Sequence, residues 1–411
     1  MKKLLCVICC ILTIGFNWGI VNVSAENENM QSEVNYMDSV KGLINTTPDS
    51  SVFTKKDGVT YGTVRSLTYY SQTAERETPV NVILPPNYTE DKEYPVLYIL
   101  HGFTDTQDWM LRDDVALVNM LGNLTASGEA KEMIVVLPYI FCSKDKATCT
   151  GGINKENSDC YDNFINDLQT DLLDFIEQSF PIAPGRENTA ITGFSMGGRE
   201  SLFIGINMSD TFGYVGAICP APGLTPSTES WNPGQFDSPD KVKYDINKGV
   251  PYLTFIGAGQ NDRTVGNSPS NYHSYFENNG NKNLFCVIPS GGHNATSVKP
   301  YLYNYLRMIF KTEYLNIPEG EFAITVNDAE VDGSIIKITL TNYESMIEKA
   351  DIIIAQYDGN NALTNAFTQS ADISEGVNNI TLENKLNGTS FKIMVWDGLN
   401  SMKPLSAIFE K

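Results

Sequence analysis

Residues 189–208, TAITGFSMGGRESLFIGINM, predict a β-strand that turns sharply into a helix at Ser195. Turning from strand to helix in so few residues crowds the backbone, so glycines are needed on both sides of a serine held in a strained conformation. The strain lifts the Ser195 hydroxyl clear of the sheet, at a helix N-terminus where free N–H groups favour negative charge. The pattern therefore predicts a nucleophilic serine, with the Met196 amide as one donor to an oxyanion.

The sequence on either side of this turn alternates short apolar, β-rich runs with longer segments, several of which have helical periodicity. That order is typical of an α/β fold with a largely parallel sheet flanked by helices. Two earlier runs, 63–71 and 79–84, resemble an antiparallel pair at the edge of the sheet. The strands predicted for the parallel part are 96–100, 133–137, 189–193, 214–219, 252–257 and 284–289.

The two ends of the chain differ from this middle part, residues 61–311. Residues 1–25 combine two early lysines, an apolar run and a small-residue cleavage site, which predicts a signal peptide and therefore a secreted, extracellular protein. Residues 26–60 are polar with little periodicity and predict a flexible arm. Residues 318–411 contain strand-like runs separated by polar turns, which predicts a C-terminal all-β domain of sandwich type.

A serine nucleophile needs a base, and the chain contains only three histidines. His293 follows the last predicted strand of the sheet and precedes a helical run, a position that suits a general base. His273 lies in a polar, aromatic stretch and is predicted to pack or to lie at the surface. His101 comes directly after strand 96–100, where the α/β-hydrolase fold places its second oxyanion donor, so we predict a structural His101 and a donating Phe103 amide.

The acid that orients the base should lie between Ser195 and His293, because the α/β-hydrolase order is nucleophile, acid, histidine. Asp262 follows the predicted strand 252–257 closely and can reach the far nitrogen of His293, which fixes the tautomer of the ring. Three rival acids lie in a polar insertion with no strand to hold them: Asp237, Asp240 and Asp245. We therefore predict a catalytic triad of Ser195, His293 and Asp262, and this triad needs neither a metal nor an organic cofactor.

Two further residues are predicted to line a substrate cleft, Trp109 and Arg199. Each has a structural alternative, Trp109 as a core residue and Arg199 as the ion-pair partner of an acid on the first turn of its helix. The loop segments around the elbow, 141–161 and 220–245, are polar and suit a shallow cleft open to a hydrated polymer better than a lipid site.

Composition narrows the range of partners. The formal net charge is −20, which argues against binding nucleic acid or anionic lipid, and no segment after the signal peptide is apolar enough to span a membrane. The sequence predicts no particular oligomeric state. Three cysteines of one polar loop predict at least one disulfide in an oxidising compartment, whereas Cys219 and Cys286 lie in apolar runs and are predicted to be buried. The loop cysteines are Cys142, Cys149 and Cys160.

Four motifs together resemble the esterase D or feruloyl-esterase-like family, which includes carbohydrate esterase family 1. They are the His-Gly-Phe after a strand, the GFSMGG elbow, the acid loop ending at Asp262 and the Gly-Gly-His that contains His293. The resemblance covers about residues 60–311 and implies an α/β-hydrolase fold, with the triad and oxyanion roles at the positions given above. Secreted members of the family remove feruloyl or acetyl groups from xylan, and other members cleave siderophore esters or S-formylglutathione or transfer mycolyl groups.

The resemblance therefore implies a secreted serine esterase whose partner is an acyl ester of a plant cell-wall polysaccharide such as xylan. Four alternatives stay open at this point, one of them a peptidase with the same triad. Another alternative is an acyltransferase, in which a sugar rather than water resolves the acyl-enzyme. A third is a siderophore esterase of the same fold. The last alternative is a non-catalytic carbohydrate-binding protein, which an intact triad disfavours.

Overall fold

The computed structural model describes residues 36–226, 234–315, 323–343, 347–357, 363–385, 391–396, 405–406 and 409–410. The chain divides into two compact units, Met1–Leu315 and Asn316–Lys411. The predicted signal peptide, residues 1–25, and the first part of the predicted arm, residues 26–35, lie outside the described residues.

An eight-stranded sheet forms the centre of the first unit. Its strands are β1 (Thr63–Ser71), β2 (Arg76–Leu84), β3 (Val96–Leu100), β4 (Ile134–Pro138), β5 (Thr189–Gly193), β6 (Tyr214–Ile218), β7 (Leu253–Gly259) and β8 (Leu284–Ile288). Their order across the sheet is β1-β2-β4-β3-β5-β6-β7-β8. The β1–β2 and β2–β4 pairs are antiparallel and the remaining neighbours are parallel, which confirms the predicted mostly parallel α/β-hydrolase sheet.

Helices cover both faces of this sheet because alternate residues of the parallel strands are apolar on both sides. In β3, Leu97 and Ile99 belong to one buried cluster, and Tyr98 and Leu100 belong to another. The helices are α1 (residues 36–41), α2 (Leu117–Ala126), α3 (Lys155–Asp162), α4 (Phe164–Asp167), α5 (Leu173–Ser179), α6 (Met196–Asn207), α7 (Ser268–Asn278) and α8 (Ala295–Met308). The first cluster contains residues of α1, α2 and α8, and the second contains residues of α3 to α7.

Residues 36–60 are not the flexible arm that the sequence predicted. Tyr36 and Val40 of α1 are fully buried, and the Tyr36 hydroxyl donates a hydrogen bond of 2.5 Å to the carbonyl of Met308 at the end of α8. Val52 and Phe53 pack against the same core. The prediction was wrong because a few widely spaced apolar residues anchor this segment, and they are too sparse to produce a periodic signal.

The second unit contains two antiparallel sheets, as predicted for the C-terminal domain. One consists of β9 (Ile324–Asp332), β10 (Ile335–Asn342) and β13 (Gly376–Glu383), and the other of β11 (Lys349–Tyr357), β12 (Leu363–Asp372), β14 (Phe391–Trp396) and β15 (Phe409–Glu410). Alternate residues of both sheets share one buried core, as in a sandwich: Ile336, Ile338, Ile352, Ile354 and Ile393 are examples. Among the described residues of the whole chain, no helix is long and apolar enough to cross a membrane.

The disulfide predicted in the polar loop is absent from the structure. Each of the five cysteines in the described part of the chain is a free thiol. The loop thiols have separate partners: Cys142 faces Asp167, and Cys160 donates to a backbone carbonyl of its own helix at 3.2 Å. Cys219 and Cys286 are buried, as their apolar surroundings predicted.

Candidate active site

The elbow at Ser195 has the strained geometry that the sequence predicted. Ser195 joins β5 to α6 with a φ of 58°, in the left-handed region that residues other than glycine rarely adopt. Its N–H donates to the carbonyl of Ile218 and its own carbonyl accepts from the N–H of Ala221, each at 2.9 Å. A Cβ on Gly197 would lie 2.4 Å from the carbonyl oxygen of Leu100, so only glycine lets the turn pack this closely on β3.

Ser195, His293 and Asp262 form one chain of hydrogen bonds. His293 lies in the loop between β8 and α8, and Asp262 lies in the loop after β7. His293 Nε2 is 2.8 Å from Ser195 Oγ, and His293 Nδ1 is 2.7 Å from Asp262 Oδ2. When Nδ1 carries the proton and donates it to the carboxylate, the lone pair of Nε2 faces the serine hydroxyl, which is the arrangement of a general base.

Asp262 is held as an anion. Its side chain is 2% exposed, and burial favours the neutral form, yet the hydrogen bond and charge of His293 keep the pKa of Asp262 below its ordinary value. The backbone N–H of Thr264 also donates to Asp262 Oδ1 at 2.9 Å. The rival acids of the insertion, by contrast, are exposed at the surface: Asp237, Asp240 and Asp245.

The two predicted oxyanion amides lie on segments that adjoin Ser195. Met196 is the first residue of α6, so its N–H has no acceptor within the helix. A Cβ on Gly102 would lie 3.5 Å from the Cβ of Ser195, so the backbone leading into Phe103 runs against the nucleophile. Donors in these places can face an oxygen that develops charge next to Ser195 Oγ.

The other two histidines have structural partners, in agreement with the sequence analysis. The Ile140 N–H donates to His101 Nε2 at 3.0 Å, and His101 Nδ1 lies 2.8 Å from the carbonyl of Gly102. Burial lowers the pKa of His101 to about 4, so the ring stays neutral and ties the oxyanion segment to the end of β4. His273 stacks on Phe285 at a centroid distance of 4.9 Å.

An aromatic stack connects Trp109 to His293 of the triad. Its ring lies 4.9 Å from that of Phe194 at an interplanar angle of 12°, and the Phe194 ring lies 4.6 Å from the imidazole of His293. Trp109 is half-buried. One part of its side chain packs in the core, which was its predicted structural role, and another part is open to solvent. Its contact with a substrate stays a prediction.

Arg199 does not line the cleft, contrary to the prediction. Its side chain is fully buried and forms ion pairs with Asp162 of α3 and with Glu200. Arg199 Nη1 also donates to Ser158 Oγ at 2.9 Å, and Gln235 Nε2 donates to Glu200 at 2.7 Å. Full burial leaves no part of the guanidinium for a substrate to touch in this structure. The alternative role, pairing with an acid on the first turn of its own helix, is the one observed.

Arg199→Ala is expected to lower the free energy of unfolding by about 3–5 kcal/mol, because the buried Glu200 and the partly buried Asp162 lose the charge that compensates them. Burial raises the pKa of Glu200 and the charge of Arg199 opposes that rise, so the carboxylate form depends on this partner. Urea denaturation at pH 7 measures the effect. The control is Arg112→Ala, which breaks an exposed pair with Asp114 and should cost about 1 kcal/mol or less. Equal stability of the two variants would contradict the prediction.

Asp105 is a site residue that the sequence analysis missed. A Cβ on Gly102 would lie only 2.7 Å from Asp105 Oδ2, so this carboxyl lies against the oxyanion segment. Burial raises the pKa of Asp105 to about 6, although Arg112, the Gly102 N–H and His293 each act to lower it. The available signal was its place in the loop directly after β3, the same loop that contains Phe103.

Asp105→Asn is expected to move the acidic limb of the kcat/KM profile to lower pH. The limb reports protonation of the base, and the ionised Asp105 carboxylate stabilises the imidazolium form of His293. The asparagine variant lacks that negative charge, so the imidazolium loses this stabilisation. The profile of Asp113→Asn, which changes an exposed acid nearby, should match the wild type. A limb that stays in place or moves to higher pH in Asp105→Asn would refute this.

Comparisons with known proteins agree with this geometry. Residues 71–297, more than half of the chain, match the family model Esterase, described as "Putative esterase". The structure of a CE1 ferulic acid esterase from the anaerobic fungus Anaeromyces mucronatus, also solved in complex with ferulic acid, matches with 40% sequence identity and a TM-score of 0.62. The match covers 66% of this chain and 99% of the fungal chain.

Two curated bacterial relatives are longer proteins. An endo-1,4-beta-xylanase/feruloyl esterase of Xylanibacter ruminicola is 25% identical over 261 residues, which are 61% of this chain and 32% of the relative. Endo-1,4-beta-xylanase Y of Acetivibrio thermocellus is 27% identical over 154 residues, which are 35% of this chain and 13% of the relative. This chain therefore spans about a third or less of the length of these relatives.

Proposed function

The chain belongs to the esterase family, and from this premise we propose that it is a secreted serine esterase of plant cell-wall polysaccharide. Its substrate in this proposal is a feruloyl or acetyl ester on xylan. The observation that carries the proposal is the chain of hydrogen bonds from Ser195 through His293 to Asp262. Secretion rests on the signal-peptide pattern of residues 1–25.

In the proposed mechanism, His293 Nε2 accepts the proton of Ser195 as Oγ attacks the ester carbonyl. Asp262 stabilises the imidazolium that forms, and the amides of Met196 and Phe103 bind the oxyanion. His293 then gives its proton to the leaving sugar oxygen, which leaves an acyl-enzyme on Ser195. Water, deprotonated by the same imidazole, attacks the acyl carbon and releases the free acid and the serine.

The neighbourhood of the triad favours a feruloyl over an acetyl group. The partly exposed ring of Trp109, stacked on Phe194 next to His293, offers an aromatic surface near the triad. A hydroxycinnamoyl ring gains from stacking on such a surface, whereas an acetyl group is too small to use it. The fungal relative, solved with ferulic acid, and the bacterial xylanase/feruloyl esterase support the same choice.

The test is a comparison of kcat/KM for methyl ferulate, acetylated xylan, a siderophore ester and a long-chain triglyceride. We expect the highest value for methyl ferulate and a measurable one for acetylated xylan. A preference for the triglyceride or the siderophore ester would overturn the substrate class and leave the triad standing. Product analysis with added sugar acceptors separates hydrolysis from acyl transfer, because transfer would yield a new sugar ester in place of the free acid.

A further inference from the structure

A buried thiol lies behind the triad, and the proposed mechanism makes no use of it. Cys219 Sγ, a carboxylate oxygen of Asp262 and a ring nitrogen of His293 all lie within 4.8 Å of one another. We propose that Cys219 is a positioning residue, whose thiol donates a hydrogen bond to the Asp262 carboxylate and holds it in line with His293. The inference rests on the proposed function and extends it to a residue outside the triad.

The backbone of Cys219 connects the acid to the nucleophile. Its φ is 45°, a conformation that a residue other than glycine keeps only where its surroundings fix it. The Cys219 N–H donates to the carbonyl of Gly257 on β7 at 2.9 Å. Ile218 and Ala221, on either side of this turn, make the two backbone hydrogen bonds to Ser195. One short turn therefore holds the nucleophile with its main chain and reaches the acid with its side chain.

The chemistry of the pair suits a thiol donor and a carboxylate acceptor. Burial and the negative charge of Asp262 raise the pKa of Cys219 to about 12, so the thiol keeps its proton throughout the neutral range. An ionised carboxylate has about four acceptor positions, so the thiol adds to the hydrogen bonds from His293 and Thr264 without displacing either. Asp262 is then held by its own loop through Thr264 and by two other segments of the fold, the loop of His293 and the turn at Cys219.

The same three groups could also ligate a zinc ion, and the distances favour the hydrogen-bonded arrangement. His293 Nδ1 and Asp262 Oδ2 are 2.7 Å apart. Two ligands of a tetrahedral zinc ion lie about 3.3 Å apart, from bond lengths of about 2.0–2.1 Å. The observed separation is that of two atoms sharing a proton.

The experiment measures Cys219→Ala, Cys219→Ser and the wild type by steady-state hydrolysis of p-nitrophenyl acetate. We expect the alanine variant to lose about tenfold in kcat with KM within about twofold, since one hydrogen bond to a charged group is lost and substrate contacts are not. The serine variant should recover most of this loss, because its hydroxyl is also a donor. Cys286→Ala, which changes a buried thiol on β8, is the matched control and should stay within about twofold of the wild type.

Two further readouts separate positioning from a general effect on the core. The acidic limb of kcat/KM should move to higher pH in Cys219→Ala, because a carboxylate that loses one donor stabilises the imidazolium more strongly, while Asp105, the other acid that faces His293, is unchanged. In an Asp262→Asn background, Cys219→Ala should have no further effect on kcat, because the two residues act as one unit. Should the alanine variant fail to fold, Cys219→Gly also lacks the donor and accepts a φ of 45° without strain.

Several outcomes would overturn the inference. They are an unchanged kcat in Cys219→Ala, an equal loss in Cys286→Ala, an unrestored serine variant, or additive losses with Asp262→Asn. Inactivation of the wild type by EDTA would point to a metal at these residues and overturn it as well. The rate of phosphonylation of Ser195 by an organophosphate is measured in parallel. That rate tests Cys219 even if the wild type hydrolyses no ester, in which case the proposed function alone has failed.

Discussion

We expect Ser195→Ala to abolish ester turnover, with kcat falling by about 10⁶-fold, since no acyl-enzyme can form without Oγ. The residual rate would come from the oxyanion amides and substrate binding, which the change leaves intact. The fold should persist, because a glycine-flanked turn accepts alanine in place of serine with the loss of one hydroxyl. Hydrolysis of p-nitrophenyl acetate and of methyl ferulate measures the loss, and circular dichroism checks the fold.

The matched control for this variant is Ser201→Ala. Ser201 lies on the same helix, α6, is buried, and donates its hydroxyl to the carbonyl of Gly197 at 2.7 Å. Its loss should leave kcat within about threefold of the wild type, because that hydroxyl faces the helix backbone. Substantial activity in a folded Ser195→Ala variant would show that Ser195 is not the nucleophile, whatever the control shows.

His293→Ala is expected to cost about as much as Ser195→Ala, and Asp262→Asn about 10⁴-fold in kcat. The asparagine keeps the size of the side chain, but its amide donates where the carboxylate accepted, so the imidazole takes the wrong tautomer. The oxyanion amides survive both changes. Steady-state kinetics of the three variants under one set of conditions gives the ranking.

The control for the acid is Asp240→Asn, which changes a rival carboxylate at the surface of the insertion. It should leave kcat unchanged, because this acid bonds to Ser238 of its own turn. If Asp262→Asn were silent and Asp240→Asn costly, the acid would have been assigned to the wrong loop. An Asp262→Asn variant as inactive as His293→Ala would instead show that the acid contributes more than orientation.

The sheet and the geometry of the triad could be anticipated from the sequence for physical reasons. A parallel strand buried on both faces must be a continuous apolar run, so β3 to β7 were visible as such. The elbow needs glycine where the backbone touches β3, which makes it a recognisable motif. With only three histidines in the chain, and one of them after the last strand, the candidate base was unambiguous.

The wrong and the missing predictions concern side chains whose direction the sequence does not determine. Arg199 lies in the first turn of the helix that follows the nucleophile, and the sequence cannot show that its guanidinium turns towards Asp162 of α3 rather than towards the cleft. Asp105 stands in an irregular loop, whose backbone path determines that the carboxyl reaches Gly102. Tyr36 is one aromatic residue in a polar segment, and only the fold reveals the pocket that it fills.

The hydrogen bond between Tyr36 and Met308 joins residues that are 272 positions apart in the chain. A second tie nearby joins Asn304 to the backbone of Asn45. These contacts join the first described residues of the first unit to its last helix, so its core is completed only when α8 has been synthesised. We expect folding of this unit to wait until nearly all of it has left the ribosome, and its strands stay unpaired and exposed until then. A chain stopped before residue 308 is therefore expected to be a substrate for chaperones and proteases.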